Sequence, residues 1–599
     1  MLHLTRRAVA AALLSLPTLP VLAQPAADPL AGLDAQIAAE LERFRTPGIS
    51  VAIVKDGQVL LAKGYGLRNV EQKLPMTADT VQPIASISKS FTVAAMATLV
   101  RDGKLAWDQP VRELLPDFRL YADELTARVS VRDLVTHRTG LPRHDGAWFG
   151  SPLTREQLYA RLRFMEPSAG LRERFQYNNF MFMTAGYLAG RVAGGSWEQL
   201  IDRSLFEPLG MKHSSTTLAG LNAQADRGSG YTLDDERRPK PQAYQALDAM
   251  GPTGSINSSA NDMARYLLML TGRGSLDGKV VIAPADLAAM TSPQMVLPFR
   301  GKYAELGPVQ YGMGTFVGSY RGERYFEHGG DMPGSASELM VFPARRIGIF
   351  VSANLAGSVA RTTLPYLIAD LLLGLPPVDW SSRLKAEDDD FWAAEKAATA
   401  QRVDPQVPGT QPSRPLADYA GDYEHAAYGR LQVALSGQAQ RPLQLRYNGM
   451  SSTAAHFHFE VFKVPDDKLD LLEQTKLQFI TNIDGDVEAV QTRMEPNVPP
   501  IVFKRLPDAR LKDPKVLARF TGEYVVSGNP LTVALRADGV LTLSTPGQPA
   551  YELAPMTGNR FAVKGPGDRQ LVFRGTPDAA ADDVAVLSSW GNFIAPRKR

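Results

Sequence analysis

Apolar residues first fall into register between residues 27 and 44, at Leu30, Leu33, Ile37 and Leu41. That spacing predicts a helix, which Pro47-Gly48 ends. The period then drops to two. Residues 49–55 and 58–64 alternate on either side of Asp56-Gly57, a dipeptide suited to the tight turn of a β-hairpin. A long helical run covers 86–102. Mixed helix and loop continue to about residue 272, including a helix whose start carries the capping pattern Ser259-x-x-Asp262. Strand patterns return at 324–327, 337–342 and 347–353, and 362–373 patterns as a closing helix. Helices inserted between the strands of one antiparallel sheet predict an α+β domain over residues 27–375.

Past Pro376-Pro377 the texture changes. Residues 380–402 pattern as a helix, and its acidic run at 387–390 reads as a solvated face. Residues 405–415 hold four prolines and a glycine, the composition of a linker, so 376–415 joins a helix to a Pro-rich connector. Short alternating strands follow, and they repeat. Leu416-Ala417-Asp418-Tyr419-Ala420-Gly421-Asp422-Tyr423 matches Leu517-Ala518-Arg519-Phe520-Thr521-Gly522-Glu523-Tyr524. Both copies continue into β alternation, at Leu431, Val433 and Leu435 and at Leu531, Val533 and Leu535. The pattern predicts two small antiparallel β-barrels, 416–507 and 508–599.

Composition removes whole classes of chemistry. The 599 residues include no cysteine, which excludes disulfide frameworks, zinc fingers, iron–sulfur clusters and thiol nucleophiles. Lys and Arg total 65 against 63 Asp and Glu, a formal net charge of +2, so no electrostatic footprint for nucleic acid exists. Residues 1–23 read as a secretory signal. Arg6-Arg7 precede an apolar stretch, Pro17 and Pro20 break it, and Val21-Leu22-Ala23 offer a cleavage site before Gln24. Thr5-Arg6-Arg7 also resembles a twin-arginine export signal. The expectation is a periplasmic or secreted protein with no stable membrane anchor after cleavage.

Three short elements carry candidate chemistry. In Ser86-Ile87-Ser88-Lys89, positions i and i+3 share a helix face, so the Lys89 amine can reach the Ser86 hydroxyl. A serine hydroxyl is a weak nucleophile until a base takes its proton, and a desolvated lysine is such a base. Taken alone, S-x-x-K recurs by chance; Ser88 is a rival serine without a lysine at i+3. In Tyr177-Asn178-Asn179 the phenol can shuttle a proton, and Asn179 has donors and acceptors for Lys89 and a substrate amide. By itself that tripeptide is a surface turn. In His328-Gly329-Gly330-Asp331 two glycines let a substrate approach a strand closely; by itself it is a strand end with an incidental histidine.

The order and separation of the three resemble the serine β-lactamase and penicillin-binding-protein superfamily, closest to its class C-like branch of esterases, D-aminopeptidases and related hydrolases. Thr46-Pro47-Gly48, the segment from Leu134 to Pro142 and the segment from Gly254 to Ser259 look like that branch as well, and the resemblance covers about residues 30–375. It implies an acyl-enzyme at Ser86. Lys89 and Tyr177 would share acid–base duty, Asn179 would orient Lys89 and substrate, and His328 and Gly330 would line the substrate-facing strand. The backbone N–H groups of Ser86 and Asp331 would form the oxyanion hole. No metal or organic cofactor is implied. The implied substrate is a small ester, peptide or amide. Because His328-Gly329 stands where β-lactamases and D-Ala-D-Ala carboxypeptidases carry Lys-Thr, those activities rank below esterase or aminopeptidase. A catalytically idle sensor or binding protein on the same scaffold is the reading from another class. The tail copies resemble the lipocalin-like barrels of D-aminopeptidase-type members; His456 and His458 there read as an exposed pair rather than a metal site. The chain lacks G-x-S-x-G and H-E-x-x-H, which disfavours an α/β-hydrolase or a metallohydrolase.

Overall fold

The computed structural model describes residues 29–298, 301–401, 403–465, 472, 474–576 and 579–598. The candidate export signal at 1–23 lies outside them. Among the described residues, no helix is long and apolar enough to cross a membrane.

The larger domain is α+β, built on an antiparallel sheet of nine strands among the described residues. A first helix, α1 (Leu33–Arg43), leads into β1 (Gly48–Lys55) and β2 (Gln58–Asn69). Asp56 and Gly57 turn this hairpin at φ 51° and 80°, the left-handed pair that a two-residue turn needs. The sheet continues from the far end of the domain with β3 (Glu323–Met332), β4 (Ser335–Phe342) and β5 (Ile347–Ala353). β5 pairs with β1 from Ile49–Ala353 to Lys55–Ile347, so the two ends of the domain meet at its centre.

β1 is buried on both faces, and its alternation divides between two cores. Ile49, Val51 and Ile53 pack with α1 and the closing helix α5 (Ala360–Leu373). Ala52 and Val54 face the helical side, with Leu267 of α4 (Ala260–Thr271). Ser259 caps α4 through Asp262 N–H at 3.3 Å. Between β2 and β3 the chain builds a helical lobe around α2 (Ser88–Arg101) and α3 (Asn179–Val192). Phe91 of α2 stacks on Tyr266 of α4 at 3.8 Å.

Helix α6 (Trp380–Gln401) docks back onto the larger domain by burying Trp380, whose indole N–H donates to Tyr320 at 2.9 Å. Its acidic run is solvated only in part: Asp389 and Asp390 are exposed, while Glu387 and Asp388 are half-buried against partners from the larger domain. Asp389 pairs with Arg237 at 2.7 Å, Glu387 with Lys302 at 2.8 Å, and Asp388 also meets Arg237. The proline-rich segment is likewise no free connector. Val407 N–H donates to His458 at 3.3 Å, Ser413 N–H to Glu460 at 2.9 Å, and Phe459 N–H to Thr410 at 3.2 Å, which straps the segment to the barrel that follows. Composition gave those residues a linker's look, while long-range contacts hold them.

Two eight-stranded antiparallel barrels complete the chain. The first closes where Tyr423 pairs with Arg505. The second nearly closes, through a single bridge between Tyr524 and Arg597. The repeat persists at atomic level. Tyr423 donates its hydroxyl to the Tyr419 carbonyl at 2.8 Å, and Tyr524 to that of Phe520 at 2.9 Å. Arg505 and Arg597 each clamp backbone carbonyls of their own copy, reaching Ala420 and Thr521 at 2.6 Å. Aromatic side chains, among them Tyr419, Tyr423, Phe462, Phe479 and Phe503, fill the first interior. His456 and His458 engage backbone groups of Phe459 and Val407.

Candidate active site

Ser86 sits in a 3-10 turn, Ala85–Ile87, that runs into α2. Ala85 immediately before it has φ 45°, a left-handed conformation uncommon for a residue with a side chain. Strand β3 is pressed against this turn. A Cβ on Gly330 would lie 2.3 Å from the Ile84 carbonyl oxygen and 3.1 Å from Ala85 Cβ, so only glycine fits. The close approach brings the Gly330-Asp331 backbone beside Ser86.

Lys89 is buried completely and its Nζ donates to Ser86 Oγ at 3.0 Å and to the Thr253 carbonyl at 2.9 Å. Loss of hydration holds its pKa well below the usual lysine value, Arg143 adds to the depression, and Asp145 opposes it. That depression favours the neutral amine, the form that can accept a proton. Ser88, the rival serine, is used structurally: it donates to the Ala85 carbonyl at 2.7 Å and accepts from Ile256 N–H at 3.1 Å.

Tyr177 lies just before α3, and its hydroxyl is near enough to Ser86 for the serine to pull its pKa down. Its ring is 4.8 Å from Lys89 Nζ and packs, tilted by 33°, at 4.2 Å from the His137 imidazole. Burial raises the phenol's pKa, against the lowering by Ser86 and Arg143, so it stays protonated at neutral pH. His137 accepts from Asn178 N–H at 3.0 Å, and Asn178 caps α3 through Met181 N–H at 2.9 Å. The segment carrying His137 is fixed from beneath by buried Asp133. That carboxylate completes a capping box with Ser130 and accepts from Arg138 at 2.6 Å and Arg172 at 2.7 Å.

His328 faces inward and is buried. Its Nδ1 lies 2.7 Å from the Gly329 carbonyl. A carbonyl only accepts, so Nδ1 carries the proton and Nε2 is left to accept from Tyr311 at 3.4 Å. Burial, with Lys89 nearby, pushes its pKa down to about 3, so the imidazole is neutral. Gly329 faces the other side of the sheet, where a Cβ would meet Arg361 and Glu338 at 3.0 Å. Asp331 pairs with Arg361 at 2.5 Å.

The structure thus gathers Ser86, Lys89, Tyr177, His328, Gly330 and Asp331 around one point. Asn179 stands slightly apart. It begins α3 and donates from Nδ2 to Asp145 Oδ1 at 3.1 Å, and the side chain of Lys89 is held by Thr253 rather than by this amide. Asp145 also accepts from Trp148 Nε1 at 2.7 Å and from Arg143 at 2.6 Å, and the Arg143 guanidinium lies 5.2 Å over the Tyr177 ring. Thr253, Arg143, Asp145 and Tyr311 are the site-lining residues that spacing along the chain does not reveal. Thr253 acts through its backbone, and the other three are brought in by loops of no fixed period. Among the described residues no group of three or more histidine or acidic side chains is disposed to hold a metal ion.

The sequence profile of the family described as Beta-lactamase matches residues 33–373, and that of a domain of unknown function (DUF3471) matches 405–505. Among curated proteins, the unguisins hydrolase ungD' of Aspergillus campestris is 29% identical over 411 residues, which is 66% of this chain and 75% of that protein. The unguisins hydrolase ungD of Aspergillus violaceofuscus is 29% identical over 461 residues, 70% of this chain and 79% of its own. The octameric penicillin-binding protein homologue from Pyrococcus abyssi shares the fold at a TM-score of 0.52 and 24% identity, over 79% of this chain and all of the other.

Proposed function

The chain belongs to the Beta-lactamase family, whose members are serine hydrolases, and on that premise we propose that it is an exported hydrolase that forms an acyl-enzyme at Ser86 on small esters or peptide-like amides. The observation that carries this reading is the buried Lys89 amine 3.0 Å from Ser86 Oγ. Neutral Lys89 takes the serine proton as Oγ attacks the carbonyl carbon. Charge developing on the carbonyl oxygen meets the backbone N–H groups of Ser86 and Asp331, fixed in place by the Gly330 contact. The proton passes to the leaving group through the protonated Tyr177 hydroxyl, and water then releases the acyl group by the reverse relay. Burial raises Tyr177 and depresses Lys89, which supports Lys89 over Tyr177 as the first base. Export rests on the signal pattern at 1–23.

Neutral His328 and side-chain-less Gly329 give strand β3 no cation for a substrate carboxylate, and Arg143 is already paired with Asp145. Esterase or aminopeptidase activity therefore ranks above β-lactamase or carboxypeptidase activity. An idle binding protein is disfavoured by the intact set of reacting groups. Turnover of a panel of aryl esters, D- and L-amino-acid amides and a β-lactam decides. We expect ester or amide turnover that drops about 10⁴-fold or more in Ser86→Ala. A panel without turnover, or turnover indifferent to that substitution, contradicts the reading.

A further inference from the structure

The first barrel touches the larger domain at the 143–150 turn and at Arg161, which donates to the Ala427 carbonyl at 3.4 Å, and the turn borders the site. His144 is its centre. It is buried and left-handed, at φ 50°, and three groups hold it. Its N–H donates to Glu495 Oε2 at 2.7 Å, its Nδ1 lies 2.8 Å from the Tyr428 hydroxyl, and its Nε2 lies 2.9 Å from the Glu166 carbonyl. Two of the three come from the barrel. Two residues on, the Gly146 carbonyl accepts from Tyr447 at 2.8 Å and from Asn448 at 3.1 Å, again barrel residues. A Cβ on Gly146 would come within 3.3 Å of Tyr428, which leaves the turn no slack.

The residues flanking His144 point the other way, into the site. Arg143 lies over Tyr177, and Asp145 holds both Arg143 and Asn179. We propose that Glu495 and Tyr428 of the first barrel are positioning residues for the reaction at Ser86, acting through the His144 turn to fix Arg143 and Asp145 beside Tyr177 and Asn179. The inference rests on the hydrolase reading above. It adds that the catalytic domain is incomplete without this barrel. The turn also sets the field at the base. The groups facing Lys89 are Arg143 and Asp145 from the turn, His137 and Tyr177 from the helical lobe, and His328 from β3. Of these, Arg143 is the fixed cation that disfavours a proton on Lys89.

The test uses the full chain with Glu495→Ala, Glu495→Gln and Tyr428→Phe. Hydrogen exchange over residues 143–150 should quicken in Glu495→Ala and stay near wild type in Glu495→Gln, which still offers an oxygen to His144 N–H. With a small ester substrate, kcat should fall about 10- to 100-fold in Glu495→Ala while KM moves less than about threefold. Glu495→Gln should recover most of the rate, whereas Tyr428→Phe, which loses the bond to His144 Nδ1, should quicken exchange and lower kcat, and carries the test if Glu495→Ala does not fold. Unchanged exchange at 143–150 together with kcat within about twofold of wild type in Glu495→Ala, or in Tyr428→Phe where Glu495→Ala does not fold, overturns the proposal. Exchange is read without turnover, so a wild-type chain that turns over nothing defeats the hydrolase reading and leaves exchange to decide this one.

Discussion

The two barrels start from one sequence pattern and end in different relations to the rest of the chain. Both fold the same hairpin frame, the same tyrosine-to-carbonyl bond and the same arginine clamp. The first shares a continuous apolar core with the helical lobe, whereas the second keeps a core of its own. The difference lies in the turns rather than the strands. Between His425 and Gly429 the first barrel has a three-residue turn that carries Tyr428 to the larger domain, while the second turns on Ser527-Gly528 alone. By strand register Tyr447 pairs with Leu431, at a place where the second barrel's turn begins with Thr545. A repeat therefore specifies the frame, and the few positions that break it specify docking.

Truncation gives the largest effect. A chain ending at Pro507 should stay soluble and keep turnover close to the full chain, because it loses only a separately cored unit. One ending at Pro415 uncovers the apolar face under Tyr428 and Tyr447 and should yield no soluble enzyme. A soluble, active 1–415 fragment would remove the distinction between the barrels. Paired core substitutions come next. Phe503→Ala and Phe573→Ala each delete a buried ring, at about 3–5 kcal/mol. In calorimetry the first should lower the transition of the unit holding Ser86, and the second only that of the last barrel.

The third effect is smaller and depends on pH. The pKa of Lys89 is depressed in the fold, so the unfolded state binds more protons between that lowered value and pH 10.5. That costs the fold stability as pH falls. Lys89→Met should raise the melting temperature of the Ser86-bearing unit at pH 7. The gain should grow by about 1.4 kcal/mol for each unit of decreasing pH while Lys89 stays neutral in the fold. The second barrel's transition should not move. A gain that shrinks toward acid would mean that Lys89 is charged in the fold.

Much of this was legible in the chain. The Asp56-Gly57 hairpin, the Ser259 cap and the barrel repeat each express a local rule, and local rules survive folding. The candidate site was legible at Ser86, Lys89, Tyr177, His328 and Gly330 because helix spacing and strand glycines leave a mark in sequence. Asn179 looked like a partner for Lys89, yet Thr253 took that place through a backbone carbonyl that no side-chain pattern announces. The prolines at 405–415, and the half-buried part of the acidic run at 387–390, misled for a related reason. Charge and proline content describe what a segment tolerates, whereas Arg237, Lys302, His458 and Glu460, distant in sequence, decide where it lies.

The central claim is that Ser86 is the acylated residue. Incubation of the full chain with a fluorophosphonate probe, followed by digestion and mass mapping, tests it most directly. The account predicts one adduct, on the peptide at Ser86, lost in Ser86→Ala and slowed in Lys89→Met. An adduct on another serine, or one that survives Ser86→Ala, would contradict it.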